Sequence, residues 1–154
     1  MTPESTIHFF IPGICGVKGN SKKLVRWGRR WGIKGRDKDI AAEASLHARS
    51  MQFRPSSPWR GPVKLDVEFI LEIPSSWAKW KRAAASIGAI YPTTGKDRGN
   101  MLKLLEDALA EVYYENDAQV VAGDVRKTYG DTPGYSVTLT KIEQAVKPER
   151  KTKP

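Results

Sequence analysis

The sequence predicts a single α/β (α+β) domain, with a mixed or largely antiparallel four-stranded sheet and two principal helices. Three observations predict it. Residues 63–73 alternate apolar and polar with a period of two, residues 98–112 carry their apolar side chains on one helical stripe, and three further short apolar runs are bounded by Gly, Pro or Asp. With 154 residues, 40% of them hydrophobic, the chain can bury one modest core but not two.

In chain order, residues 7–11 form a first strand that Pro12-Gly13 ends. Residues 17–36 read as a basic loop or loose hairpin, rich in Gly, Lys and Arg, with Trp27 and Trp31 interleaved and no acid between Lys18 and Arg36. Asp37 and Asp39 favour a helix start, and the alanine-rich run that follows favours its propagation over 38–52. After a Pro/Ser stretch at 54–58, Val63, Leu65, Val67, Phe69, Leu71 and Ile73 alternate with Lys64, Asp66, Glu68 and Glu72, which gives a long strand with one buried face. Pro74 closes it, and Ser75-Ser76 are placed to cap a short basic helix through Trp77, Trp80, Lys81 and Arg82.

The second principal helix is expected over 98–112, with Met101, Leu104, Leu105, Ala108, Leu109 and Val112 on its apolar side and Asn100, Lys103 and Asp107 opposite. Residues 113–117 break it. Residues 118–127 and 135–142 read as two strands paired as a hairpin through the Gly130–Gly134 turn. The tail, 145–154, is charged and nearly free of apolar residues, so it is expected to be disordered.

The net charge of +9 points to a polyanionic partner, nucleic acid ahead of an acidic membrane surface, and leaves DNA and RNA both open. Lys18, Lys22, Lys23, Arg26, Arg29 and Arg30 form one cationic cluster and Lys79, Lys81 and Arg82 a second, both candidates for phosphate contacts, with indoles for base stacking. No apolar run approaches the roughly 20 residues that span a bilayer, and the N-terminus lacks a secretory pattern, so a soluble protein of the cytoplasm is expected. Cys15 is the only cysteine, which excludes an intrachain disulfide and a thiolate zinc site. Cys15, His8 and His47 are read as structural or surface residues.

Asp97 directly precedes the second principal helix, Asn100 and Lys103 follow in its first turns, and Asp117 lies beyond its far end. Two carboxylates and a lysine meeting at one end of the sheet would suit a hard divalent cation and phosphodiester chemistry. That meeting requires the following strand to run back beside the helix. Each residue also has a purely structural role open to it: Asp97 as a helix N-cap, Asn116-Asp117 as turn formers, Lys103 and Asp107 as a solvated pair.

The run Lys96-Asp-Arg-Gly-Asn-Met-Leu-Lys-Leu-Leu-Glu-Asp-Ala-Leu109, then Tyr114-Glu-Asn-Asp-Ala-Gln-Val-Val121 and Lys127, resembles the RusA family of Holliday junction resolvases. That family carries P-D-x-D-N-L-x-K-x-x-x-D-A-L, an aromatic-containing turn, D-D-x-Q-V and a lysine in the next strand. Residues 11–13 and 17–19 resemble its opening strand and basic loop, and residues 73–85 its mid-chain basic helix. The resemblance implies a bacterial or phage-encoded, Mg²⁺-dependent endonuclease that acts as a homodimer on branched DNA. It makes Asp97 and Asp117 the metal-binding catalytic carboxylates and Lys103 the catalytic-site lysine, with Asn100 and Asp107 as supporting residues. This chain departs from the pattern at Gly99, where the family has its second aspartate, and at Asn116, the first position of the Asp-Asp pair. The loss at 99 leaves Glu106, Asp107 or Glu115 to compensate, or leaves a weak enzyme, or leaves a catalytically silent junction-binding protein. An RNA-binding module is a third reading, on charge alone.

Overall fold

The computed structural model describes residues 5–17, 22–35 and 37–150. Lys18 and the last four residues of the tail lie outside them; residues 142–150 carry no helix or strand. Among the described residues, seven strands and three α-helices follow one another: β1 (Thr6–Pro12), β2 (Lys22–Trp27), β3 (Arg30–Gly35), α1 (Asp37–Ser50), β4 (Val63–Glu72), α2 (Lys79–Ser86), α3 (Arg98–Leu109), β5 (Val120–Ala122), β6 (Val125–Gly130) and β7 (Gly134–Lys141). The class is mixed α/β, as the patterning predicts, with five strands rather than four in the main sheet and a separate two-stranded hairpin.

The fifth strand comes from a break the sequence hides. Residues 118–127, read as one strand, divide into a 3-10 turn (Asp117–Gln119), β5 and β6. Gly123, at φ 145, lies so close to the Leu65 carbonyl that a Cβ would collide with it. The Asp124 N–H turns instead to the Asp66 carboxylate at 2.9 Å, and the chain rejoins β4 two residues on.

The expected pairing of the last two strands is also corrected. β7 lies between β1 and β4, antiparallel to both, while β6 runs parallel to β4 along its other edge. Burial explains the exchange: Tyr135, Val137 and Leu139 of β7 are buried and suit the middle of the sheet, whereas β6 (Val-Arg-Lys-Thr-Tyr-Gly) has no fully buried residue and takes the edge.

One face of the sheet carries the core. Val63, Leu65, Val67 and Phe69 of β4, Phe9 and Ile11 of β1, and Val137 and Leu139 of β7 all point into it, as strand alternation requires. Met101, Leu104, Leu105, Ala108 and Leu109 of α3 cover that face, and each large side chain so buried contributes about 1.5–3 kcal/mol. α1 packs on α3 and adds Leu46.

Helix ends differ from expectation in two places. α3 stops at Leu109 rather than 112, because Glu111 takes a left-handed conformation (φ 66) and its N–H bonds to the Tyr114 carbonyl at 2.7 Å. Val112 stays buried, together with Tyr113 and Tyr114, outside the helix. α2 begins at Lys79 with Ala78 as an N-cap that makes no side-chain bond; Ser75 and Ser76 sit in the preceding turn, closed by the Trp77 N–H on the Pro74 carbonyl, too early to cap it.

Candidate active site

Asp97 caps α3: its Oδ1 accepts the Asn100 N–H at 3.0 Å. This uses one lone pair of one oxygen, so the carboxylate keeps most of its acceptor capacity. The segment carrying it is latched to the sheet at two points. Lys127 Nζ donates to the Lys96 carbonyl at 2.8 Å, and Arg98 donates to the Val125 carbonyl at 3.1 Å. The Lys96 ammonium in turn bonds the Cys15 carbonyl after β1. The lysine in the strand after the Q-V pair is thus a positioning residue for the start of α3.

Six residues further along α3, about 9 Å at about 1.5 Å per residue, Lys103 Nζ lies 3.3 Å from Asp117 Oδ2 and 3.5 Å from Asp107 Oδ1. Its pKa is raised, first by the hydrogen bond to Asp117 and next by the charge of Asp107. The chain after α3 does run back beside the helix, but Asp117 arrives opposite its middle. The structure therefore brings Lys103, Asp107 and Asp117 together and leaves Asp97 at the helix start, on the cap. Asn100 contributes its backbone N–H to that cap.

Asp117 is held by its neighbours. Asn116 Oδ1 accepts the Ala118 N–H at 2.8 Å, and the Asn116 N–H donates to Gln119 Oε1 at 2.8 Å, a reciprocal capping box. Gln119 Nε2 then donates to the carbonyls of Trp59 and Gly61, each at 2.9 Å, and pins the turn to the loop before β4. Asparagine at 116 thus serves the fold. Gln119 was legible as the fourth residue of an N-x-x-Q box, a signal the motif reading passed over.

Glu106 is the group whose importance the sequence least exposes. Burial, then the Asp117 carboxylate, push its carboxyl above the usual range; Lys103 opposes the shift and Asp107 adds to it. Negative charge accumulates here beyond what one lysine offsets. Of the other candidates to replace a carboxylate at 99, Glu115 is engaged by Arg60 at 2.9 Å on the surface. The cleft around Lys103, Asp107 and Asp117 is open, and Glu43, His47, Glu111 and Glu115 are among the residues that line it. His47 Nδ1 meets the Ala108 carbonyl at 2.9 Å, so that nitrogen carries a proton and His47 ties α1 to α3, in keeping with the structural role expected of it.

The groups that Lys103 contacts are carboxylate oxygens, which suit a hard divalent cation. Among the described residues, no three His, Cys, Asp or Glu side chains are grouped so as to hold a metal. Two carboxylates suffice for Mg²⁺, which keeps several waters and takes further oxygens from a phosphate.

The cationic clusters lie apart from this cleft in the chain. Arg26, Arg29 and Arg30 are exposed on the β2–β3 hairpin; the side chains of Lys22 and Lys23 lie outside the described residues. On α2, Lys79 and Arg82 are exposed, and Lys81 Nζ sits 3.9 Å above the Trp77 ring, which packs edge-on against Tyr129 at 5.2 Å. Trp77 is therefore a packing residue, whereas Trp80 is 70% exposed. Among the described residues, no helix is long and apolar enough to cross a membrane.

The family model for endodeoxyribonuclease RusA matches residues 18–140, from the hairpin through β7. An uncharacterized protein of Bacillus subtilis (strain 168), YqaN, is 36% identical over 93 residues, 59% of this chain and 66% of that protein. The chain spans just under two thirds of that relative's length. The matched family segment contains the Asp97 cap, Lys103 with its two carboxylates and both cationic clusters, and this chain belongs to the RusA endodeoxyribonuclease family.

Proposed function

We propose that this protein is a Mg²⁺-dependent endonuclease that resolves Holliday junctions and related branched DNA by paired nicks, in recombination and repair. The observation that carries the reading is Lys103 held between Asp107 and Asp117, at 3.5 and 3.3 Å, on the family's signature helix. Asp97 and Asp117 would hold the metal and, with Lys103, form the catalytic set, which requires the two carboxylates to close on the ion from the start and the middle of α3. Asn100 and Asp107 support it: the first through the cap, the second by fixing the lysine. Mg²⁺, when bound, would polarise the scissile phosphate and lower the pKa of an attacking water.

The protein's own groups divide the remaining work. Lys103 presents an ammonium with three donors, two of them directed at carboxylates, and the third can meet a phosphate oxygen as negative charge develops. The Asn116–Gln119 box keeps Asp117 from swinging away. Lys18, Lys22, Lys23, Arg26, Arg29 and Arg30, with Lys79, Lys81 and Arg82, would bind the arms through phosphates, and specificity for a branch would arise from shape rather than base readout. A four-way junction has approximate two-fold symmetry, so a homodimer with one metal centre per subunit suits the task. Residues 1–144 form the nuclease domain in this reading, residues 145–154 are a basic tail, and the protein, bacterial or phage-encoded, works in the cytoplasm.

A second reading, a silent junction-binding protein of the same fold, is favoured by Gly99 and by the distance of Asp97, at the start of α3, from the Lys103 cluster. A nicking assay on a synthetic four-way junction, with and without Mg²⁺, separates the two. Paired, metal-dependent nicks support the nuclease; tight binding without nicks supports the silent binder.

A further inference from the structure

The β2–β3 hairpin stands as its own two-stranded sheet, its strands paired with each other and with no strand of the main sheet. A two-residue turn, Gly28-Arg29, joins them; Gly28 is at φ 62 and Arg29 is not at positive φ, the type II′ pattern that matches strand twist. The register pairs Arg26 with Trp31 and Trp27 with Arg30, so the two indoles stand on opposite faces of the hairpin.

Each indole is backed on one side and open on the other. The Arg26 guanidinium lies 5.7 Å from the Trp31 ring centre and is itself held by a bond from its Nε to the Gly28 carbonyl at 2.8 Å. Trp27 lies down over Gly32, where any Cβ would collide with the ring, so glycine is what lets the indole rest on the backbone. Yet Trp27 is 57% exposed, Trp31 64% and Leu24 64%. Over 22–35 the chain has six Lys or Arg and no acid.

An apolar protein partner would match the indoles but not this density of cations. Nucleic acid matches both, because phosphates meet the cations and base faces meet the rings. In intact duplex those faces are stacked on each other. Only a branch point or single strand leaves them open.

We propose that the β2–β3 arm is a base-stacking platform on which Trp27 and Trp31 each seat an unpaired base where branched DNA opens. The proposal rests on the nucleic-acid side of the function assigned above and extends it from arm binding to recognition of the branch.

Fluorescence anisotropy tests it on the full chain, with a labelled four-way junction, a linear duplex of the same arm sequence and an oligo-dT strand. Stacking contributes about 1–3 kcal/mol per base, so the Trp27→Ala/Trp31→Ala variant should bind oligo-dT and junction at least about tenfold more weakly while duplex affinity stays within about twofold. Trp27→Phe/Trp31→Phe, which keeps flat rings, should recover most of the loss. Arg29→Gln/Arg30→Gln should weaken all three complexes. Equal losses on duplex and junction would overturn the proposal, since the indoles would then only shape the arm. So would a change from dimer to monomer in DNA-free sedimentation of the alanine variant, because a second copy would then cover the indoles. Absence of metal-dependent nicking in the wild type, with the stacking pattern intact, would refute the nuclease reading and support this one.

Discussion

Placing aspartate at Gly99 puts a carboxylate beside the one on Asp97. A Cβ built at position 99 falls 3.1 Å from Asp97 Oδ1, so a new side chain is within reach of the cap and displaces it by a few tenths of an ångström. Gly99 is not at positive φ, and its backbone accepts the substitution. Replacing glycine in a helix gains a few tenths of a kcal/mol and up to about 1, and an acid in the first turn adds roughly 0.3–1 kcal/mol through the helix dipole. Against this, two carboxylates about 5 Å apart repel by about 1 kcal/mol in water-like surroundings and about 3 at an effective dielectric constant of about 20. Without metal the terms nearly cancel, and Gly99→Asp should melt close to the wild type. A divalent cation turns the repulsion into shared attraction.

A tenfold tighter Mg²⁺ site corresponds to about 1.4 kcal/mol, and a domain of this size gains roughly 2–4 °C per kcal/mol. Gly99→Asp should therefore gain about 3–6 °C more than the wild type from the same excess of Mg²⁺, and its half-maximal cleavage should need about tenfold less metal. Gly99→Ala supplies the Cβ without the charge and should show the helix gain alone. Identical Mg²⁺ dependence of melting and of cleavage in wild type and Gly99→Asp would refute the reasoning and leave Glu106 or Asp107 as the group already filling the position.

Asp97→Asn should lose Mg²⁺-dependent nicking yet stay folded, because asparagine caps a helix as well as aspartate; Asp117→Asn should behave alike, both with junction affinity unchanged or tighter in a gel-shift titration. Retained nicking would return that carboxylate to capping or turn duty. Glu106 has a folded pKa above its unfolded one, so its contribution is fully present below the unfolded pKa and is lost as pH rises through the raised value. Glu106→Gln should accordingly melt higher than the wild type near neutral pH, with the difference vanishing in acid and shrinking with Mg²⁺. Neutralising Lys22, Lys23, Arg29 and Arg30 together should flatten the salt dependence of duplex binding by up to about 3.6 log–log units, at about 0.9 per contact; an unchanged slope moves the DNA to Lys79, Lys81 and Arg82.

The legible parts of the fold are those a single periodicity decides. β4 and α3 carry their patterns over ten and twelve residues, and the buried positions fall where the period puts them. What escaped is set by contacts between distant residues. The break at Gly123 depends on the Leu65 carbonyl, and the central position of β7 depends on its pairing with both β1 and β4, which no local window contains. Local turn chemistry favoured a hairpin at Gly130–Gly134; burial of Tyr135, Val137 and Leu139 outweighed it.

The site divides along the same line. Asp97 as a cap and Lys103 with Asp107 four residues on are helix-local and could be read directly. The approach of Asp117 to Lys103, and with it the raised pKa of Glu106, requires the turn at 117–119 to be held from outside by Gln119 on the carbonyls of Trp59 and Gly61. This has a consequence for how the chain tolerates glycine at 99. A carboxylate lost from the first turn of α3 removes charge from one end of the helix, while Glu106, Asp107 and Asp117 concentrate it about 10–12 Å along the axis at about 1.5 Å per residue. Three acids around one lysine leave a net negative centre. A cation drawn to that centre would sit nearer the middle of α3 than one shared between Asp97 and a carboxylate at 99.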